Sequence, residues 1–209
     1  MGKKNKIVVE VEIDAPLPII WDRSQEPTQH LLWDIRFSEI AYLETYDDKG
    51  RQALRYRTKI GFGIAVEGRG YYAHSKHHEQ SVFLFDSNDW KSLITNGRGL
   101  WLYRDKGSHT FFKTVFDYEI RFGIFGRIID RLFFRPLFQL TTEWGFETLR
   151  LWCEGDVQAC QRRRPKRKFL WFFIQRMMGI KKAKARSWLG TGKTKEAQSK
   201  QSDCADAIV

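Results

Sequence analysis

Residues 109–152 read HTFFKTVFDYEIRFGIFGRIIDRLFFRPLFQLTTEWGFETLRLW, and the fold turns on the change of rhythm inside them. Thr110, Phe112, Thr114, Phe116, Tyr118 and Ile120 share one face, while Lys113, Asp117, Glu119 and Arg121 take most of the other. A period of two makes 109–121 a half-buried strand. After Gly126 the period lengthens. Ile128, Ile129, Leu132 and Phe133, then Phe138, Thr142, Phe146, Leu149 and Trp152, recur at spacings of three and four, the rhythm of a helix. Pro136 lies inside that helix, lacks a backbone donor, and should kink it or divide it in two.

Upstream of this switch the rhythm of two dominates. Ile7, Val9, Val11 and Ile13 oppose Glu10, Glu12 and Asp14, giving a first strand over 6–14. Ala15-Pro16-Leu17-Pro18 ends it. Pro18 is suited to open a short helix, and a second helical turn is expected from Pro27 to Leu32. Strands follow over 35–46, through Leu54, Tyr56, Thr58 and Ile60, and over 65–76, 81–87 and 99–105, with the turn Asp47-Asp48-Lys49-Gly50 after the first. Short turns between consecutive strands argue a continuous antiparallel sheet. The expected class is therefore α+β, with about seven strands before one long C-terminal helix.

The composition fits one core with an appendage. Hydrophobic residues make up 42% of the 209 and charged residues 29%, which excludes wholesale disorder and collagen-like fibre. The net charge of +11 is unevenly placed. Residues 1–158 hold 22 basic and 22 acidic side chains, whereas 159–209 hold 14 and 3, so the whole excess lies in the last quarter. Cys153, Cys160 and Cys204 form no CxxC pair and no disulfide framework, which suits a reducing compartment. Lys6 stands where a myristoylation motif needs Ser or Thr, no secretory h-region follows the basic start, and no run is long enough to span a bilayer. The expected location is cytoplasmic, or peripheral at the inner face of the membrane.

Val11-Glu12-Ile13-Asp14-Ala15-Pro16, then Trp21, Pro27, His30, Trp33 and Asp34, resembles the opening of the START-like (SRPBCC) superfamily, which includes polyketide cyclases, coenzyme Q-binding proteins and plant pollen-allergen proteins. With the element order, the resemblance covers roughly residues 6–155. It implies the helix-grip fold, a bent antiparallel sheet wrapped around a long helix, with a cavity between them for a small hydrophobic or amphipathic ligand. The inward faces could wall such a cavity. Leu54, Tyr56, Thr58, Ile60, Thr110, Phe112, Thr114, Phe116 and Tyr118 mix hydroxyls with apolar groups, and Thr142 and Phe146 face them from the helix. The plainer alternative is a solid core with each hydroxyl bonded to backbone.

Other motifs carry less. His74, His77, His78 and Glu79 look like a ligand cluster but sit where a strand meets a turn, so no metal and no cofactor are expected. Gly68 to Ala73 fits GxGxxA inside a strand rather than before a helix, and Gly192-Lys193-Thr194 lacks the earlier glycine of a phosphate loop. Glu143 and Glu147, one helical turn apart, are pocket acids only if that face is inward; solvent or an arginine partner is the ordinary reading. No catalytic group can be named, and cyclase-type chemistry rests on the resemblance alone.

The basic segment has its own logic. Arg162, Arg163, Arg164, Lys166, Arg167 and Lys168 precede Phe169-Leu170-Trp171-Phe172-Phe173-Ile174, and Lys181, Lys182, Lys184 and Arg186 follow. An apolar, aromatic run between cationic flanks suits an anionic membrane surface, where each cation contributes about 1 kcal/mol. Trp171, Phe172 and Phe173 would be its buried side. Two alternatives stand beside this: docking of the run on the body, and nucleic acid, which the unbroken apolar run suits least. The expected organisation is a ligand-binding domain over 1–158, an amphipathic segment over 159–189 and a disordered tail over 190–209. Three functions remain open: carriage of a hydrophobic or lipid-like ligand, a cyclase or dehydratase using the same cavity, and an interaction module with a solid core.

Overall fold

Seven strands form one antiparallel sheet, and a long helix lies across it. The strands are β1 (Asn5–Ile13), β2 (Glu39–Tyr46), β3 (Gln52–Gly61), β4 (Ile64–Lys76), β5 (Gln80–Asp86), β6 (Ile94–Asp105) and β7 (Thr110–Ile120). These come from a computed structural model that describes residues 5–61, 64–76 and 78–177. Their spatial order is β1-β7-β6-β5-β4-β3-β2, so β2 to β7 run as a meander and β1 closes against β7. The β1–β7 register sets Ile7, Val9, Val11 and Ile13 opposite Phe116, Thr114, Phe112 and Thr110. Both strands thus turn their apolar sets to one face, as alternation requires.

Two short helices, α1 (Leu17–Gln25) and α2 (Pro27–Trp33), follow β1, and α3 (Gly123–Ile129), α4 (Arg135–Cys153), α5 (Val157–Arg163) and α6 (Lys166–Met177) follow β7. A π turn over Asp130–Phe134 joins α3 to α4. This is the form taken by the break expected at Pro136. The Arg135 N–H reaches back five residues to the Asp130 carbonyl, and the helix continues with Pro136 in its first turn. The result is the helix-grip α+β architecture.

Two strand starts differ from the sequence reading by more than two residues. β2 starts at Glu39 rather than 35 because residues 35–37 belong to a turn in which the Arg36 N–H bonds the Asp34 carboxylate. β6 starts at Ile94 rather than 99. Asn96 there has φ 47°, and the register shifts between Thr95 and Arg98, so a bulge hides the alternation.

The core occupies one end of the space between sheet and helix. Phe112 and Phe146, both fully buried, stack at 4.6 Å, and Tyr103 stacks on the other side of Phe112 at 4.7 Å. Ile13, Ile20, Trp33 and Leu149 complete this end without exposure. At the other end the sheet is lined by glycine. A Cβ on Gly99 would stand 2.0 Å from the Phe83 ring, and one on Gly68 would stand 2.2 Å from the Phe85 ring. The missing side chains let both rings lie down on the neighbouring strand instead of standing up into the interior.

Candidate functional site

Where the rings lie flat, a cavity of about 410 Å³ remains between sheet and helix. Its floor is Phe83, Phe85, Trp101 and Phe116; its roof is Phe134, Leu137, Phe138 and Thr142 of the long helix; Phe169 and Lys166 of α6 stand at its side. Of the residues expected to wall it, Tyr56, Thr58, Thr114, Phe116 and Thr142 do so. Tyr56 and Thr114 are 7% and 4% exposed, yet no hydrogen bond satisfies either hydroxyl, or that of Thr58, among the described residues. Burial pushes the Tyr56 hydroxyl well above the ordinary tyrosine value.

The other expected wall residues stand elsewhere. Phe112 and Phe146 fill the solid end, where their stacking leaves no space. Thr110 donates to the Ala15 carbonyl at 3.1 Å, so its hydroxyl is spent on backbone. Leu54 packs with Ile40 and Tyr56 in a small second cluster toward β2. Tyr118 lies under Phe134 and donates to buried Asp130 at 2.7 Å, and Asp130 also accepts from Arg135 at 2.8 Å. The side chain of Ile60 lies outside what the structure describes.

One polar cluster in the wall was visible in the sequence only as unconnected residues. His30 Nε2 lies 2.9 Å from the fully buried Asp34 carboxylate, and its ring stacks on Trp33 at 4.6 Å. Arg36 donates to the same carboxylate through Nε and Nη2 and to the Thr142 hydroxyl through Nη1 at 2.8 Å. Thr142 in turn donates to the Phe138 carbonyl. Burial alone would raise the Asp34 carboxyl, but Arg36 and then His30 hold it well below the usual carboxylate range. An ionised Asp34 orients the His30 Nε2 proton toward itself, and the α2 turn spacing of four residues makes the pair possible. The cluster ties α2 to α4 across the cavity mouth.

The basic segment divides. Arg163 lies 3.7 Å over the Trp144 ring and donates to the Thr148 hydroxyl and the Trp144 carbonyl. Burial lowers its guanidinium to about 10. Phe169 is buried against Trp144 at 5.8 Å, and Phe172 lies 5.1 Å from the same ring, with Phe173 half-buried beside them. The near face of α6 therefore docks on the body. Its far face does not. Leu170 and Trp171 are 56% and 62% exposed, and Arg162, Lys166, Arg167 and Lys168 are exposed, with Arg164 half-buried. Lys181, Lys182 and Gly192-Lys193-Thr194 lie outside the described residues. So do the side chains of His74 and His77; His78 packs its ring edge on Trp21 at 5.7 Å. Among the described residues no cluster of His, Cys, Asp or Glu is placed to hold a metal ion, and no helix is long and apolar enough to cross a membrane. Glu147 pairs with Arg150 at 2.6 Å and Glu143 is exposed, so neither faces the cavity.

A wider depression of about 1310 Å³ on the outer face of the sheet has mixed charges, with Arg55, Arg57, Arg69 and Arg98 opposed by Glu67, Asp86, Asp117 and Glu119. Ion pairs such as Arg57–Glu67 neutralise its wall, and the cavity beneath the long helix is the candidate site.

Comparison with known proteins agrees with the fold. No family model matches the chain. Among curated proteins it is 38% identical over 171 residues to the uncharacterized membrane protein YndG of Bacillus subtilis (strain 168), covering 79% of this chain. The chain spans 61% of the length of that relative. Among solved structures, the di-domain ARO/CYC StfQ of the steffimycin biosynthetic pathway superposes with a TM-score of 0.54 at 13% identity, over 71% of this chain and 51% of StfQ. The protein TTHA0849 from Thermus thermophilus gives 0.52 at 17% identity, over 70% and 94%. A START superfamily protein from Mycobacterium smegmatis gives 0.51 at 16%, over 66% and 94%. At these identities the likeness is one of fold, and that fold is START-like.

Proposed function

We propose, from a START-like fold that is hollow at one end, that this chain binds a small amphipathic, lipid-like ligand under its long helix and exchanges it at an anionic membrane surface. One observation carries the reading: the hydroxyls of Tyr56, Thr58 and Thr114, which make no hydrogen bond among the described residues, line a cavity of about 410 Å³ whose floor and roof are largely apolar. Small-molecule sites combine such walls with a few polar anchors at volumes of about 300–1,000 Å³. Hydroxyls that open onto such a cavity are available to a ligand acceptor or a trapped water.

The charges at the mouth indicate which end of the ligand lies outward. Among the described residues, every charged side chain that lines the cavity is basic: Arg36, Lys59, Lys91 and Lys166. Arg36 is committed to Asp34, and Lys91 pairs with Asp89 at 3.2 Å. Lys59 and Lys166 make no ion pair among the described residues, and Lys166 Nζ donates to the Lys59 carbonyl, so the two stand side by side. Burial, with the Lys59 charge, lowers the Lys166 ammonium from its ordinary value. A carboxylate or phosphate head would relieve that repulsion while the apolar body fills the cavity. Entry then requires the Lys166–Phe169 side of α6 to swing aside, with the exposed Leu170–Trp171 face of α6 resting on the membrane.

The test begins with organic extraction of freshly purified full-length protein and mass spectrometry of the extract. The expected result is one apolar or amphipathic compound at near-equal molar amount. Delipidated protein should then bind dodecanoate more tightly than dodecanol, and the Lys59→Gln/Lys166→Gln variant should lose that preference. Absence of any compound together with no binding of either probe overturns the reading.

A second reading has one observation in its favour. His30 lines the cavity with its Nε2 2.9 Å from the Asp34 carboxylate, the pairing by which a carboxylate orients an imidazole for proton transfer. A proton-transfer enzyme of the cyclase or dehydratase kind would lose turnover in His30→Asn while keeping ligand affinity. A carrier would show no turnover to lose.

A further inference from the structure

The helix between β7 and Pro136 is apolar on the side that faces away from the body. Phe122, Ile124, Phe125, Ile128, Leu132 and Phe133 are between 51% and 71% exposed. The opposite side is pinned. A Cβ on Gly126 would fall 1.8 Å from the Arg121 carbonyl, so only glycine lets α3 lie this close to the end of β7. Asp130, 1% exposed, is held inward by Tyr118 and Arg135. The outer face therefore cannot roll into the core. Phe122, the residue before the helix, adopts φ 68°, a left-handed conformation that costs a non-glycine residue about 1 kcal/mol, and it presents its ring to solvent.

Patches of this size on a single chain mark an interaction surface. Its charge selects the partner. Residues 121–137 carry four arginines and one acid, and that acid is the buried Asp130. Arg127 and Arg131 are exposed among the apolar side chains and make no ion pair among the described residues. A second copy of the chain would bring like charges together across a two-fold axis. An anionic bilayer would instead meet both the apolar face and the guanidinium groups, which is the composition of an interfacial helix. The patch also runs into the cavity: Leu137, 39% exposed, lines it, and so do Phe134 and Phe138 one turn away. Trp90, 77% exposed, stands on the loop that Arg121 holds through the Ser87 and Asp89 carbonyls, and the next residues of that loop, Lys91 to Leu93, also line the cavity.

We infer that the face formed by Phe122–Leu132 is the principal bilayer-docking surface of this protein, bound to anionic lipid, with the cavity opening beside it. This extends the ligand-exchange reading above to a second surface, larger than the exposed face of α6. The ligand need not cross water.

Flotation of the full-length protein with vesicles of phosphatidylcholine alone, or of phosphatidylcholine with phosphatidylglycerol, tests this directly. The wild type should float with the anionic vesicles. Phe125→Ser/Ile128→Ser, at exposed positions that leave the fold intact, should weaken partitioning about tenfold or more. Arg127→Gln/Arg131→Gln should weaken it about tenfold on anionic vesicles only, and Trp171→Ser on α6 should weaken it less than the patch variant. Equal flotation of the wild type and the patch variant overturns the inference. So does light scattering that shows a wild-type dimer dissociated by Phe125→Ser/Ile128→Ser with flotation unchanged, which would make the patch a self-interface. Ligand extraction from the same preparations is read separately, so an empty cavity with intact flotation would sink the ligand reading alone.

Discussion

The two ends of the space beneath the long helix are built from one strand and behave oppositely. Thr110 and Phe112 meet Ala15, Tyr103 and Phe146 and are solid; Thr114 and Phe116, next on the same face of β7, look onto the cavity. Alternation along β7 is identical in both halves. The difference comes from what stands opposite. One turn of α4 exchanges Phe146 for Thr142, and the neighbouring strands supply Gly68 and Gly99 so that Phe85 and Phe83 lie flat. A hollow here is a product of residues that are missing from the inner face, not of residues that are special.

The comparison is broken most severely at the solid end. Phe112→Ala should cost about 3–5 kcal/mol, since the cavity it leaves is fully enclosed by rings. Thermal or urea unfolding of the full-length protein measures this, and a loss below about 1 kcal/mol would mean that this end is not packed. Asp34→Asn, at the border between the ends, should cost about 3 kcal/mol because the Arg36 charge loses its partner. The same carboxyl sets an acid limit. Its folded value is depressed, so its stabilisation is present above the unfolded carboxylate value of about 3.9 and is lost as the pH falls from there toward the folded value. Stability measured from pH 6 downward should therefore fall less steeply in Asp34→Asn than in the wild type, with about 3.9 marking the onset.

Arg163→Ala separates docking from charge in the basic segment. Removing the Trp144 stack and two hydrogen bonds should cost about 2 kcal/mol, whereas Arg167→Ala, at an exposed position, should cost almost nothing. Equal effects in urea melts would contradict the docked arrangement of α5 and α6. Smallest is the effect of Thr114→Val. Its hydroxyl has no partner among the described residues, so stability should change by less than about 1 kcal/mol, in either direction, while ligand affinity falls.

How much of this could be read in advance follows from the same contrast. The seven strands and the long helix were legible from their periods, most plainly in β1, β3 and β7, where alternation runs against a charged opposite face. The bulge at Asn96 and the Asp34 turn were not, since they break the period for local hydrogen-bonding reasons. Tyr56, Thr58, Thr114, Phe116 and Thr142 line the cavity, whereas Phe112, Thr110, Leu54, Tyr118 and Phe146 carry the same alternation and pack solid. Nothing in the rhythm of one element reports the size of the side chain facing it. The outer face of α3 was missed for a related reason: a helix apolar all round reads as buried, and only the approach forced at Gly126 reveals which side is left outside.

The central claim is that the hollow end, and not the solid end, receives the ligand. Calorimetric titration of delipidated full-length protein with dodecanoate, beside Thr114→Phe and Phe112→Leu, tests it most directly. The account predicts that Thr114→Phe fills the cavity, keeps or raises the melting temperature, and weakens binding by about tenfold or more. Phe112→Leu should lower the melting temperature and leave the affinity in place. Binding that survives Thr114→Phe but is lost in Phe112→Leu would contradict the account.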